Sequence, residues 1–229
     1  MKKYLKFAKD QIGRADLNNI FYKKDKFCDL ISKRVESLGD YDSFSDSVDS
    51  NDVPKCDRRI HYVVSGGRDS ESFLRDRFEY FSSKKWADIF GNFDFFEVLG
   101  ENRIFADQNY GVSARVDFFG KFKGYPTVVI VKSSHSKIDR PTRPHVVDCL
   151  TKMWLAEVNN CFLIYDDVFN FNFSVFRVLP NKVLIGSIKE KLRRIKSDKL
   201  KGNLPDRKYS SPDSRECLGC GFKKKCWEK

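Results

Sequence analysis

Apolar residues recur at helical spacing in several stretches of this chain, and runs of β-branched and aromatic residues fill the intervals between them. Residues 1–38 carry Leu5, Phe7, Ile20, Phe21, Phe27, Leu30 and Ile31 among many lysines, and Asp16 is placed to cap a second helix. Residues 39–54, GDYDSFSDSVDSNDVP, hold five aspartates and no basic residue, and read as an exposed acidic linker. Helical periodicity returns over Asp69–Phe90, where Phe73, Leu74, Phe78 and Phe81 share one face. Strands are predicted at 94–100, 113–122, 126–134, 161–167 and 173–179, with room for a further short strand in ENRIFADQNYGV. A helix is predicted over 143–159, and Ile185, Ile188, Leu192 and Ile195 mark the apolar face of another. Helices alternating with groups of strands predict an α/β (α+β) core, a mixed sheet flanked by helices. The chain thus divides into a basic helical segment (1–38), the acidic linker (39–54) and one domain (55–229).

Composition changes this picture mainly through charge. With 41% hydrophobic residues, including 21 Phe, the 229-residue chain has enough apolar material for a packed core, so disorder is not expected. The formal charge of +11 attracts polyanions, through long-range steering and through counterion release from phosphates. The basic residues form three groups: Arg75 and Arg77; Lys137, Arg140 and Arg143; and Lys189, Lys191, Arg193, Arg194, Lys196, Lys199 and Lys201. Each group alone reads as a solvated face. Together with the net charge they predict a DNA-binding surface that meets the backbone rather than the bases. No stretch has the length of a membrane span and the start lacks a secretory apolar run, so no membrane partner is expected.

Seven cysteines in a chain with these features point to metal or buried thiols rather than disulfides. The last 13 residues, CLGCGFKKKCWEK, group Cys217, Cys220 and Cys226. Three thiolates leave a four-coordinate site incomplete. Cys28, Cys149 and Cys161 lie in apolar patterns where free cysteine is a small core residue, whereas Cys56 follows the linker in the polar stretch VPKCDRRIHY. Four cysteines suit either Zn²⁺ or a [4Fe–4S] cluster, and spacing alone does not choose.

Three stretches together resemble the RecB-like PD-(D/E)XK nucleases, above all the iron–sulfur exonucleases of CRISPR adaptation. Cys56-Asp57-Arg58-Arg59-Ile60-His61-Tyr62 is similar to the segment that opens their core, and Cys217, Cys220 and Cys226 to the cysteines that close it. Between them, Gly111-Val112-Ser113-Ala114-Arg115-Val116-Asp117 resembles the family's first hairpin strand, Gly-x-x-Gly-Arg-x-Asp. Val129-Ile130-Val131-Lys132 stands where the second strand ends Glu-x-Lys. The resemblance covers residues 54–229 and implies a restriction-endonuclease-like core. It also implies a [4Fe–4S] cluster on Cys56, Cys217, Cys220 and Cys226, fastening the chain's end to the start of the core, with zinc as second choice.

The resemblance fails where the chemistry is. Phosphodiester hydrolysis in this fold needs a divalent cation held by at least two acidic side chains. The chain supplies the relic positions Asp117 and Lys132, but Ile130 replaces the second acid. The helix after the first cysteine lacks the family's histidine, and its later Gln-x-x-x-Tyr helix is not recognisable in HVVDCLTKMWLAEV. Glu71, Asp76 and Glu79 are where a migrated acid would be sought, and only then would Mg²⁺ or Mn²⁺ be a cofactor. These departures predict a protein that is not an enzyme. The resemblance combined with the lost acid implies a non-catalytic protein that coats or packages DNA, such as the nucleocapsid of a filamentous archaeal virus. Such a protein would reside in the virion, or otherwise in the cytoplasm, and would self-associate or share DNA with a second coating protein. Two other readings stay open: a metal-dependent exonuclease of CRISPR adaptation or recombination, and a decoy that binds nuclease partners.

Overall fold

The computed structural model describes residues 47–67, 86, 90, 96–167 and 172–227. The expected helices of segment 1–38, the linker up to residue 46 and most of the 69–90 helix lie outside the described residues. In chain order the elements are β1 (Val48–Asp49), α1 (Asp57–Val64), β2 (Phe96–Asp107), β3 (Val112–Phe122) and β4 (Tyr125–Ser134). There follow α2 (Arg143–Leu155), β5 (Asn160–Asp167), β6 (Asn172–Val178), α3 (Lys182–Leu200), α4 (Arg215–Leu218) and α5 (Lys223–Trp227). The six strands make one mixed sheet in the order β1-β3-β4-β5-β6, with β2 on β3.

The sheet is built around a hairpin that the sequence encodes locally. Lys123 and Gly124 both have positive φ, 50° and 84°, and join Phe122 to its ladder partner Tyr125 in a two-residue turn whose twist suits a hairpin. β4 and β5 run parallel from Thr127↔Asn160 to Ser134↔Asp167, with α2 as the crossover, and β6 returns antiparallel. β2 is a single strand of 12 residues that ladders along all of β3, so the sequence between the two predicted strands belongs to it.

Helices α1, α2 and α3 cover one face of the sheet, over a core that includes Ile60, Val116, Ile130, Leu150, Met153, Leu163, Leu192 and Ile195. On the opposite face Trp86 and Phe90, both helical, pack with Phe96, Phe118, Val129, Val131 and Ile164. The fully covered strands β4 and β5 read as continuous apolar runs for this reason. Asn181 caps α3 by accepting from Leu184 N at 3.0 Å. Cys149 and Cys161 are buried in the same core.

The described part of the predicted linker is not exposed chain. Val48, Ser50 and Val53 are buried, and β1 pairs in parallel with the start of β3 at Val48↔Val112 and Asp49↔Ser113. The β3–β4 ladder ends at Phe118↔Val129, so β1 takes up the side of β3 that β4 has left. This split lies at the relic site.

Candidate functional site

Asp117 stands where the β3–β4 ladder stops. Its Oδ2 accepts a hydrogen bond from Val131 N at 2.9 Å, so the carboxylate takes a backbone N–H just beyond the ladder's end. Ile130 is fully buried with the α1–α3 helices' core. Burying such a side chain contributes about 2–3 kcal/mol, which makes the position part of the core and not a ligand position. A hard divalent cation therefore finds one carboxylate on β3 and no side-chain oxygen from the residue at 130. The strand residues do not reproduce the two-acid set that a nuclease metal site requires.

Lys132 instead belongs to a buried polar network. It is 3% exposed, and its Nζ lies 3.3 Å from Asp148 Oδ2 and 2.8 Å from Asn51 Oδ1, to which it donates. Lys152, one turn further along α2 and also 3% exposed, donates to the same Asp148 Oδ2 at 3.1 Å. The hydroxyl of Ser50 donates to Asp148 Oδ1 at 2.8 Å. The chain after β1 thus closes over the split between β3 and β4 and supplies two of the network's five members. Both lysines and the Ser50 hydroxyl hold the Asp148 carboxyl well below the usual carboxylate range, against the opposing effect of burial. Where the resemblance leads to Gln and Tyr four residues apart, α2 presents Asp148 and Lys152, also four apart.

His145 adjoins this network. Its Nδ1 lies 2.7 Å from the Tyr165 hydroxyl, which in turn accepts from Thr142 N at 3.2 Å, so the Tyr165 hydroxyl ties the start of α2 to β5. Burial, reinforced by the Lys132 charge, lowers the His145 pKa to about 4. The imidazole is therefore neutral at physiological pH. Sequence reading missed Asp148, Lys152, His145, Tyr165, Ser50 and Asn51. One signal was present: two opposite charges four apart inside the apolar run of α2, a spacing at which they can pair within a buried face.

The predicted DNA-binding residues fall into different settings. Arg75 and Arg77 lie outside the described residues, as do Glu71, Asp76, Glu79 and Cys28. Lys137, Arg140 and Arg143 are exposed, on the loop that leaves β4 two residues beyond Lys132 and at the first turn of α2. Lys137 is 3.9 Å from Asp139. On α3 the basic residues are engaged to different degrees. Lys191 is half-buried and donates to Val53 O at 2.8 Å and Lys55 O at 2.5 Å, with Asp57 at 3.3 Å; burial lowers its pKa. It ties α3 to the turn after β1, a structural task that the residue type alone did not reveal. Lys196 donates to Gln108 O and Asn109 O, both at 3.0 Å, and Lys199 to Val64 O at 2.5 Å. Arg194 pairs with Asp57. Lys189 and Arg193 lie against the rings of Tyr110 and Trp154, and Lys201 is exposed at the end of α3.

Of the four cysteines, Cys56 caps α1, its thiol accepting from Arg59 N at 3.4 Å. Burial raises its pKa against the lowering effect of the Arg59 backbone N–H, with smaller contributions from Cys220, Cys226 and Cys217. The C-terminal segment docks onto α1 through a Tyr62–Phe222 ring contact at 5.5 Å and Arg58 Nε donating to Pro205 O at 2.7 Å. An Arg58 guanidinium N–H also lies 4.0 Å from Cys226 Sγ. The donor set suits a thiolate-bound metal in type. Among the described residues, no three His, Cys, Asp or Glu side chains are grouped as a metal site as they stand.

No protein-family model matches the sequence, and no curated protein matches it. Solved structures do match its architecture. An alkaline exonuclease from Laribacter hongkongensis, LHK-Exo, aligns over 69% of this chain and 90% of its own, with a TM-score of 0.51 and 12% identity. The fold is shared with that exonuclease. The crystal structure of a protein named SSO0001 aligns more extensively, over 89% of this chain and 94% of that one, with a TM-score of 0.56 and 15% identity.

The structure bears out the expected mixed sheet flanked by helices, an architecture shared with these neighbours. The likeness overturns the expectation that the chain is not an enzyme: the lost acid at Ile130 suggested as much, yet the fold is shared with an exonuclease. Among the described residues, no helix is long and apolar enough to cross a membrane.

Proposed function

We propose that this protein binds DNA along its phosphate backbone, with little sequence preference, and coats or packages it. The observation that carries this reading is the exposed basic loop at the mouth of a nuclease fold. Lys137, Arg140 and Arg143 follow directly from the strand that holds Lys132, in a chain of net charge +11. Cations on a loop beside the split of the sheet would meet phosphates without reading bases. The order of the Cys56, Asp117, Lys132 and C-terminal cysteine motifs resembles iron–sulfur exonucleases of CRISPR adaptation. A nucleocapsid of a filamentous archaeal virus is the concrete role that fits this combination, with self-association along the DNA.

A second reading, a metal-dependent exonuclease, is favoured by the fold shared with LHK-Exo. One experiment separates the two. Labelled single- and double-stranded DNA are mixed with the protein in Mg²⁺ or Mn²⁺ and in EDTA, and binding and cleavage are followed together. The coating reading expects intact, retained DNA in both conditions. It also expects affinity to fall about a thousandfold between 50 and 200 mM salt, as for roughly six phosphate contacts. Metal-dependent shortening abolished by Asp117→Ala would establish the second reading in its place.

The four cysteines are proposed to hold a [4Fe–4S] cluster, or zinc, that staples the C-terminal segment to α1. Cys217→Ala should lose the bound metal by elemental analysis and lower the melting temperature. Unchanged metal content and melting would exclude Cys217 as a ligand.

A further inference from the structure

We propose that the tip of the β2–β3 hairpin, with the adjoining faces of α2 and α3, is a stacking site for unpaired bases of single-stranded DNA; this rests on the DNA-binding reading above. Tyr110 and Trp154 meet edge to face with ring centroids 5.0 Å apart, and both are partly buried against the edge of the core. Lys189 Nζ lies 4.6 Å from the Trp154 ring and 5.6 Å from the Tyr110 ring. Arg193 sits 5.2 Å from the Tyr110 ring centroid and donates to its hydroxyl at 2.9 Å. The Arg193 guanidinium is also 3.5 Å from Glu190, which leaves the group with a net positive charge alongside Lys189.

The rings are held in place by the backbone beneath them. Gly111, with φ of 61°, closes the turn after Tyr110 by donating to Gln108 O at 3.2 Å. Lys196 binds the Gln108 and Asn109 carbonyls of the same turn from α3. A helix that merely sealed the core edge would bring aliphatic side chains here; α3 brings Lys189 to Trp154, and Lys189 and Arg193, spaced one turn apart, to Tyr110. Fixed aromatic faces beside cations are the combination that takes up unpaired bases and their phosphates, since bases of a duplex are already stacked on each other. A second such unit lies along the same hairpin. Phe105 and Phe119 are 5.5 Å apart with Arg103 over Phe119 at 5.5 Å, and both rings pack against the same core as Tyr110 and Trp154. Two ring pairs, each with its own cation, give a strand more than one place to stack.

The test compares the full chain with Tyr110→Leu, which keeps apolar bulk but removes the ring, on an oligo-dT strand and on a duplex of equal length. Tyr110→Leu should weaken oligo-dT binding about tenfold or more while duplex affinity stays within about twofold. Crosslinking of the unmodified protein to a strand containing 5-iododeoxyuridine supplies a readout free of folding effects, and should place adducts on the peptides holding Tyr110 or Trp154. Equal losses on both DNAs, no loss on oligo-dT, or adducts confined to other peptides would overturn the stacking site alone. A wild-type protein that binds neither DNA would overturn the DNA-binding reading, and this inference with it.

Discussion

Asp148→Ala should destabilise the protein by about 3–5 kcal/mol, the cost of leaving buried charges without their partner. Asp148 carries a carboxylate that both Lys132 and Lys152 approach, at 3.3 and 3.1 Å, and all three residues are at most 3% exposed. Removing it leaves two ammonium groups buried in the core edge, and the Ser50 hydroxyl loses its acceptor. The effect is measured by urea unfolding as a fall in the midpoint at constant slope. A second variant separates pairing from packing. Replacing Asp148 by Leu together with Lys132 and Lys152 by Met removes the charges as a set, and should cost far less than Asp148→Ala, because no unpaired ion remains. If Asp148→Ala costs under about 1 kcal/mol, the network does not hold the split of the sheet closed, and the contact of Asn51 with Lys132 would carry little weight.

Stability should also fall as the pH is lowered from about 6.5 towards 4, before ordinary carboxylates titrate. The folded His145 resists protonation down to about 4, whereas in the unfolded chain it takes up a proton near 6.5. Between those values the unfolded state binds more protons, so stability rises with pH through the window and is lost on acidification. The shift corresponds to up to roughly 3 kcal/mol at pH 4. The depressed Asp148 carboxyl acts in the same direction at lower pH: its contribution is present above the unfolded carboxylate range and is lost as the pH falls beneath it. His145→Gln should flatten the profile between pH 4 and 6.5 while leaving the steeper acid limb. Melting temperatures across this range give the answer, and an unchanged slope in His145→Gln would assign the titration to another group.

The parts of the fold that could be read in advance were those whose burial pattern is local. β3, β4 and β5 carry β-branched and aromatic runs because both faces of the sheet are covered, and α2 and α3 show their apolar faces directly. β2 was under-read because it lies outside the main strand path, with Arg103 and Ile104 exposed, so its sequence resembles a loop. β1 could not be seen at all. Two residues in an acidic stretch become a strand only because β4 leaves one side of β3 open. Asp117 and Lys132 were legible from motif spacing, whereas Asp148 was not, since its significance depends on which strand α2 lies against. The contacts of the α3 basic residues were not legible for a related reason: a count of lysines does not show which of them end on carbonyl oxygens, as Lys191 and Lys196 do.

The docking of the C-terminal segment onto α1 sets an order of events during synthesis. Arg58 reaches Pro205, 147 residues later, and Tyr62 reaches Lys225, 163 residues later. The hairpin and the α2 crossover can form while the ribosome is still at work, but these contacts of α1 can form only once residues 205–225 have emerged. Until then the side of α1 that carries Arg58 and Tyr62 lacks this cover. A stalled or truncated translation product that ends before Phe222 would lack the ring that packs on Tyr62, and α1 is then the first place where quality-control proteases or chaperones would find purchase.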